Sequence, residues 1–595
     1  MTDSLIGKRL TALRAVMARR GLAGWTIRTS DPYLSEYVPE RWTGVKWLTG
    51  FTGSTAVFAV TADAAALFTD SRYWEQAERQ LQGTEIRLVR AGAPGEPDVT
   101  QWLAERLPAE TLVGTDYEST SISLLRRMKA SLAKRSLRIR HEEDLLDVIW
   151  TKDRPAEPDG PVYALKGAGK SVAEKLADVR RSLVASESDA LYLTSLDETA
   201  WLTNCRGSDI HCNPVFLSTM LVTDERAVLF CRPERFEAGV IEALAAEGVE
   251  VRPPHDRAGL LAETFRTKRV LIDPDRTPAA LLELIRPDCT EGVSPVTYLK
   301  SRKSDAELAS IRSAMKEDGK ALCEFYAELD ERLENGEVLT ELDVALCLNS
   351  HRAAGENFLD ESFDTIAAFG PNGALPHYLP TEEHHAVLTN GLLLIDSGGQ
   401  YRTGTTDITR MTAVGTITDD MRRDVTTVLK GMIGLARTSV PVGTSGAQLD
   451  VAARAPLWRE GLDYGHGTGH GVGFVLNVHE GPFSISPRSV KTGEMGLQAG
   501  LVLSDEPGVY RPGRWGVRIE NLVTAKVARE TEFGTFLDFE VLTLCPIDVR
   551  TLDVSLLDNT EKNWLNAYHD RVREVLFPHL SQRAKNWFEK AAKPI

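Results

Sequence analysis

Apolar positions recur every three or four residues near the start of the chain, placing Leu10, Leu13 and Met17 on one face before Gly21, and this spacing predicts an amphipathic helix. A second helix of the same kind is predicted from about Lys170 to Leu183, and short apolar runs such as Ala190–Thr194 and Val270–Asp273 read as strands alternating with helices. The pattern repeats. Trp47-Leu48-Thr49 with Gly53-Ser54 returns as Trp201-Leu202-Thr203 with Gly207-Ser208. VTADAAALFTDSRYW from Val60 resembles VTDERAVLFCRPERF from Val222, each reading as strand, polar turn, strand, helix. Two related α/β domains in tandem account for this echo, joined through the Pro-, Gly- and charge-rich TKDRPAEPDGPV that begins at Thr151.

Beyond Thr297–Lys303 the pattern changes. SRKSDAELASIRSAM sets Ser304 and Glu307 at the spacing of a capping box, then Leu308, Ile311 and Met315 on one stripe. A second helix is predicted near Glu341–His351, followed by strands and glycine-rich turns through Val523. After Pro546 the chain again turns helical, with Trp564, Leu565, Tyr568, Val572, Val575 and Leu576 on one face and Trp587 and Phe588 on a shorter helix. Docking of these helices on their own domain is the expectation, and a homodimer contact stays open. The predicted domains are therefore residues 1–155, 156–298, 299–545 and 546–595.

At 595 residues the chain exceeds one hydrophobic core, and 42% hydrophobic with 26% charged residues is the composition of an ordinary soluble globular protein. A formal charge of -16 argues against a nucleic-acid partner, whose phosphates call for clustered Lys and Arg. The first residues lack the apolar core of a secretory leader, and no run of 18 apolar residues would span a membrane. Seven scattered cysteines without a CxxC pair point away from disulfides and thiolate zinc and toward a reducing cytoplasm. Cys205 and Cys212 read as small buried hydrophobes.

The chemistry gathers in the third domain. GLLLIDSGGQYRTGTTDITRM reads as an apolar strand, a turn on Gly398, Gly399 and Gly404, and a returning strand, so Asp396 and Asp407 converge from adjacent strands. A carboxylate in such a setting is costly unless paired, hydrogen-bonded or bound to metal. GHGTGHGVGFVLNVHEGP sets His466, His470 and His479 among five glycines, where backbone can approach a ligand closely. LVLSDEPGVY offers Glu506 after an apolar strand, WGVRIENLVTA offers Glu520 within a strand, and FGPNGALPHY adds His377. A buried ion pair with Arg518 is the competing explanation for Glu520. Four carboxylates and an imidazole form a hard, oxygen-rich set suited to Mn²⁺ or a similar ion. Their charge suffices for two dications about 3.5–4 Å apart, which lower the pKa of a bridging water and polarise a scissile carbonyl.

In order and spacing, the DSG at Asp396, GTTDITR around Asp407, GHGTGHGVG through His470, LNVHEGP at His479, SDEPGVY at Glu506 and VRIEN at Glu520 resemble the pita-bread metallopeptidases. The likeness is to the long, three-domain Xaa-Pro aminopeptidase (aminopeptidase P) branch, and it covers nearly the whole chain. It implies two creatinase/prolidase-like α/β domains, a pita-bread catalytic domain and a C-terminal helical extension. It further implies that Asp396, Asp407, His470, Glu506 and Glu520 hold two manganese ions, with Asp407 and Glu520 bridging. His377, His466 and His479 would face substrate, Glu506 would accept a proton from the attacking water, and Arg518 is a weaker candidate. Peptides with proline in second place are the implied substrates. Prolidase, an inactive pita-bread binding module and metal-free creatinase-like amidinohydrolysis are the rivals. The family often has Asp where this chain has Thr403, a turn position rather than a ligand.

Overall fold

A computed structural model describes residues 4–286 and 288–595, without the side chain of Glu494. The chain divides into two compact units. The first takes in residues up to Ala164, Lys170–His211 and Val215–Val296, and the second Leu165–Gly169, Cys212–Pro214 and Thr297–Ile595.

The predicted first helix spans Leu5–Arg20, with Ser4 capping its start and Gly21 ending it at φ 67°, a left-handed turn that glycine adopts without steric cost. Leu10, Leu13 and Met17 are buried, each stabilising the fold by roughly 1.5–3 kcal/mol relative to exposure. The echo in the sequence is an echo in topology. One six-stranded sheet runs Ile86–Arg90, Ala65–Thr69, Val57–Thr61, Gly24–Arg28, Leu112–Thr115, Arg138–His141. The other runs Val249–Arg252, Ala227–Phe230, Thr219–Thr223, Ala190–Leu193, Val270–Ile272, Thr290–Glu291. Across both sheets the pairs follow the same succession of parallel, antiparallel, antiparallel, parallel, parallel. The helices carrying the two Trp-Leu-Thr triplets, Gly44–Thr49 and Leu196–Thr203, hold equivalent places in the chain order. The segment predicted as a linker is irregular from Thr151 to Pro161, and Cys205 and Cys212 are buried as expected.

The second unit is a mixed α/β body around one large core. The capping box at Ser304 and Glu307 is present and opens a 30-residue helix, Asp305–Glu334, with Leu308, Ile311 and Met315 buried. Helix Glu341–Ala353 follows. A four-stranded sheet centres on Gly391–Tyr401, flanked by Phe358–Phe369 and Ile408–Val414. A six-stranded sheet contains Gly469–Gly471, Glu480–Ile485, Val502–Asp505, Asn521–Thr531 and Gly534–Val541, and a separate hairpin pairs Gly508–Arg511 with Trp515–Arg518. The terminal helices Asn559–Leu576 and Gln582–Ala591 dock on this unit's own core through Leu565, Tyr568, Val572, Leu576, Trp587 and Phe588. Among the described residues no helix is long and apolar enough to cross a membrane.

Candidate metal centre

Asp396 is the sixth residue of Gly391–Tyr401, a strand buried at every position, and lies in register with Thr409 of the neighbouring strand. The expected turn on Gly398 and Gly399 is corrected here: both belong to the strand, and the chain reverses at Arg402 and Thr403. The reason is close approach. A Cβ on Gly398 would sit 2.0 Å from the Thr406 carbonyl oxygen and 2.2 Å from Ser362 Oγ, so only glycine lets these segments lie together. Asp407 sits in the irregular step before Ile408–Val414 rather than within that strand.

Glu520 also departs from expectation. It occupies the break between Trp515–Arg518 and Asn521–Thr531 instead of a strand interior. Its amide donates to the Thr409 carbonyl at 3.1 Å, and Thr409 Oγ1 donates to Glu520 Oε2 at 2.8 Å. Glu506 follows the strand Val502–Asp505, as predicted, and accepts from Ser504 Oγ at 3.1 Å.

His470 lies in the short strand Gly469–Gly471, its amide donating to Ser504 Oγ at 2.9 Å. A Cβ on Gly469 would fall 1.9 Å from the Ser504 carbonyl oxygen, which accounts for a glycine beside this histidine. Nδ1 of His470 is 2.9 Å from the Gly471 carbonyl. A carbonyl only accepts, so Nδ1 carries the proton and the neutral ring presents its Nε2 lone pair. That atom faces Asp407 Oδ2 at 3.5 Å and Glu506 Oε1 at 3.4 Å. One ligand atom each from Asp407, His470 and Glu520 lies within 4.8 Å of the other two. The His479 ring stands edge-on to His470, with centroids 4.4 Å apart.

Arg518 does not pair with Glu520. Its Nη2 and Nε donate to Asp396 Oδ2 at 2.5 and 3.1 Å, and its Nη2 also donates to the Pro376 carbonyl at 3.3 Å, one residue before the half-buried His377. Arg518 Nη1 donates to Tyr510 Oη at 2.7 Å, and Tyr510 Oη lies 2.8 Å from His466 Nε2. His466 Nδ1 is 2.8 Å from the Gly467 carbonyl and must donate there, so its Nε2 accepts from the tyrosine. All eight candidate residues thus lie at or beside one locus, with His377 placed only through its neighbour Pro376.

Electrostatically the locus is short of positive charge. Burial first, then Asp396 and Glu506, push the Asp407 carboxyl well above the ordinary range, and burial with Asp407 and Glu506 does the same to Glu520. Burial raises Glu506 to about 7, Asp396 adding to the effect while Arg518 and His479 oppose it. Asp396 Oδ1 is buried with no hydrogen-bond partner. Four converging carboxylates, one guanidinium and an imidazole lone pair aimed at them form a donor set that fits divalent cations.

Sequence reasoning overlooked Thr409, Ser504 and Tyr510, ordinary residues whose importance comes from where the strands bring them. It also missed Glu480. Beside His479 and in register with Gly471, Glu480 is buried and salt-bridged to Lys300 Nζ at 3.0 Å and to Lys303 Nζ. The acidic residue next to a candidate histidine was the available signal.

The model of metallopeptidase family M24 matches residues 309–526, and that of its C-terminal region matches 535–595. Creatinase/prolidase N-terminal domains match 9–141 and 153–307. The chain is 36% identical to Aminopeptidase P2 of Arabidopsis thaliana over 100% of its own length and 89% of the relative's. To a probable Xaa-Pro aminopeptidase P of Coprinopsis cinerea it is also 36% identical, covering 99% of this chain and 98% of that one. Among solved structures, the X-prolyl aminopeptidase of Caenorhabditis elegans, described as a cytosolic enzyme with a di-nuclear active site, superposes with a TM-score of 0.93 at 33% identity. That match covers 99% of this chain and 100% of the nematode chain.

Proposed function

The chain belongs to metallopeptidase family M24, and from that premise we propose that it is an aminopeptidase removing the first residue of peptides whose second residue is proline. The observation that carries this reading is the convergence of Asp407, His470 and Glu520 donors beside Glu506 and Asp396, in a chain whose likeness to Xaa-Pro aminopeptidases runs its whole length. Asp396, Asp407, His470, Glu506 and Glu520 would hold two divalent ions, and the oxygen-rich set favours Mn²⁺. When bound, such ions supply a water-derived nucleophile at neutral pH and polarise the scissile carbonyl.

The protein's own groups do the rest. Glu506, on the rim of the carboxylate cluster, accepts the proton of the attacking water at an Oε atom. The nitrogen of an Xaa-Pro bond carries no hydrogen, so its departure as an amine requires a proton, and Glu506 is placed to return the one it took. His479, close to His470, offers an imidazole hydrogen bond to the substrate carbonyl as charge develops there, while His466, with both ring nitrogens engaged by Gly467 and Tyr510, shapes the substrate side. His377 joins them on the substrate side. Arg518 fixes Asp396 and, through Tyr510, His466 in one rigid arrangement. Seven unpaired cysteines support a cytoplasmic setting, and a homodimer is the proposed assembly.

The test is a substrate panel of Xaa-Pro, Xaa-Pro-Yaa and Met-Ala-Yaa peptides, assayed after chelation and again after adding Mn²⁺. Cleavage of the first bond of Xaa-Pro-Yaa, lost on metal removal and restored by Mn²⁺, is expected. Undiminished activity after verified metal removal would refute the metal-dependent reading, and preference for Xaa-Pro dipeptides would make the protein a prolidase instead.

A further inference from the structure

A second donor cluster lies on the outer helices of the catalytic unit, built from none of the residues of the peptidase centre. Cys347 and His351 are four residues apart on helix Glu341–Ala353, the spacing that puts two side chains on one face, and Glu328 projects from helix Asp305–Glu334. Cys347 Sγ lies 3.4 Å from Glu328 Oε1, and His351 Nε2 lies 3.2 Å from Glu328 Oε2. One ligand atom from each residue lies within 4.8 Å of the other two. Bond lengths of about 2.3 Å to sulfur and 2.0–2.2 Å to nitrogen and oxygen set tetrahedral ligand atoms roughly 3.2–3.7 Å apart. Cys347 and His351 each stand at that spacing from one of the two Glu328 oxygens, so a small turn of the carboxylate brings a single oxygen to both. The three residues are half-buried, and they border an open groove of about 550 Å³ that Arg332, Asp343, Leu346, Ser350 and Ala354 complete, so the cluster is reachable from solvent.

Two arginines border the cluster and both touch its donors, Arg332 interacting with the Cys347 thiol and Arg583 with Glu328, while each is shared with a further carboxylate. Arg332 donates to both oxygens of Glu337, at 2.9 and 2.5 Å, and Arg583 reaches Glu328 at 3.2 Å while also contacting Glu331 at 3.4 Å. With Glu328, Glu331, Glu337 and Asp343 present, carboxylates outnumber guanidinium groups locally.

We propose that Glu328, Cys347 and His351 form a surface site for a thiophilic divalent cation of the Zn²⁺ class. The donor set of thiolate, imidazole and carboxylate differs in kind from the oxygen-rich peptidase centre, so the two sites select different ions. On binding, the Cys347 thiol gives its proton to solvent and a sulfur–metal bond forms, with no change of oxidation state.

Full-length protein preloaded with Mn²⁺ is titrated with Co²⁺ and followed in the near ultraviolet, where a cobalt–thiolate bond gives a charge-transfer band that carboxylate and imidazole ligands cannot produce. The band is expected to appear, to be lost in Cys347→Ser, and to require roughly tenfold or more Co²⁺ in His351→Ala and Glu328→Gln. Unchanged melting of the metal-free variants establishes that they fold. Absence of the band in the parent protein, or its persistence in Cys347→Ser, would overturn the proposal. Because the signal does not depend on peptide cleavage, its outcome is separate from that of the proposed activity.

Discussion

Replacing Glu480 by glutamine tests whether a buried charge cluster holds the histidine-bearing segments in place. Glu480 follows His479, and its backbone is in register with Gly471, the neighbour of His470. Its side chain and those of Lys300 and Lys303 are at most 2% exposed, with Lys300 Nζ 3.0 Å from one carboxylate oxygen and Lys303 Nζ on the other. Lys303 also donates to the Ser301 carbonyl at 3.2 Å, which alone does not neutralise its charge. Removing one partner of a buried ion pair costs about 3–5 kcal/mol, because the remaining charge stays desolvated. Glutamine keeps the volume and one acceptor oxygen, so the lower end of that range applies. For a unit of this size each kcal/mol lowers the melting temperature by roughly 2–4 °C, giving a fall of about 6–12 °C. Scanning calorimetry reads that loss. Steady-state cleavage of an Xaa-Pro-Yaa peptide reads the functional part, where misplacing a group by about 1 Å is worth up to ~100-fold, expected in kcat with little change in KM. A companion triple variant, Lys300→Met with Lys303→Met and Glu480→Leu, removes every buried charge together and should recover most of the melting temperature. If Glu480→Gln melts within about 1 °C of the parent and turns over normally, or the triple variant melts no higher than the single one, the reasoning fails.

Arg518→Lys keeps the charge but loses the fork that spans Asp396, Tyr510 and Pro376, so kcat/KM should fall about 100-fold, and a value near that of the parent would remove Arg518 from the positioning network. In metal-free protein, Glu520→Gln should melt higher than the parent at neutral pH, because Glu520 has its carboxyl pushed upward by burial and by Asp407, and glutamine resembles the protonated form. With Mn²⁺ present the order should reverse and turnover should fall by roughly 10²–10³-fold; a lower metal-free melting temperature would refute the repulsion argument. His569, 3% exposed, is held neutral by burial and the nearby Arg410 charge, which lower it to about 3. The stability it contributes is complete above the unfolded value near 6.5 and is lost as pH falls through the window toward 3. On the order of 2 kcal/mol should disappear between pH 7 and pH 5, and His569→Gln should abolish that portion in pH-dependent denaturant melts.

What was legible in the sequence was local. The stripe Leu10, Leu13, Met17 and the capping box of Ser304 and Glu307 depend on residues a few positions apart, the echo around Trp47 and Trp201 compares two short local patterns, and each appears in the fold. Glu506 after its strand was read correctly for the same reason. The misreadings concern partners distant in sequence. Gly398 and Gly399 carry the usual composition of a turn, yet their role is to admit Thr406 and Tyr401, which no local pattern reveals. Glu520 lies among strand-forming residues, but the chain breaks there so that its amide meets the Thr409 carbonyl, a contact across 111 residues. The lysines that neutralise Glu480 are 177 and 180 residues away.

Arg518 shows why the acidic residues cannot be sorted by burial alone. Were its guanidinium paired with Glu520, as the strand reading allowed, Asp396 would be a carboxylate with no compensation inside a fully buried strand. Paired as it is, Arg518 covers only Oδ2 of Asp396 and leaves Oδ1 buried without a partner. In the buried Arg454–Asp450 pair the arginine also takes a single oxygen, but there the other oxygen accepts from Thr468, whereas Oδ1 of Asp396 is left open. The neighbouring carboxyls of Asp407, Glu506 and Glu520 all have their protons held more tightly by burial and mutual repulsion, a cost that divalent cations among these oxygens would reverse. The single guanidinium therefore stabilises one corner of the cluster while leaving the site as a whole electron-rich, which is the condition a metallopeptidase centre requires.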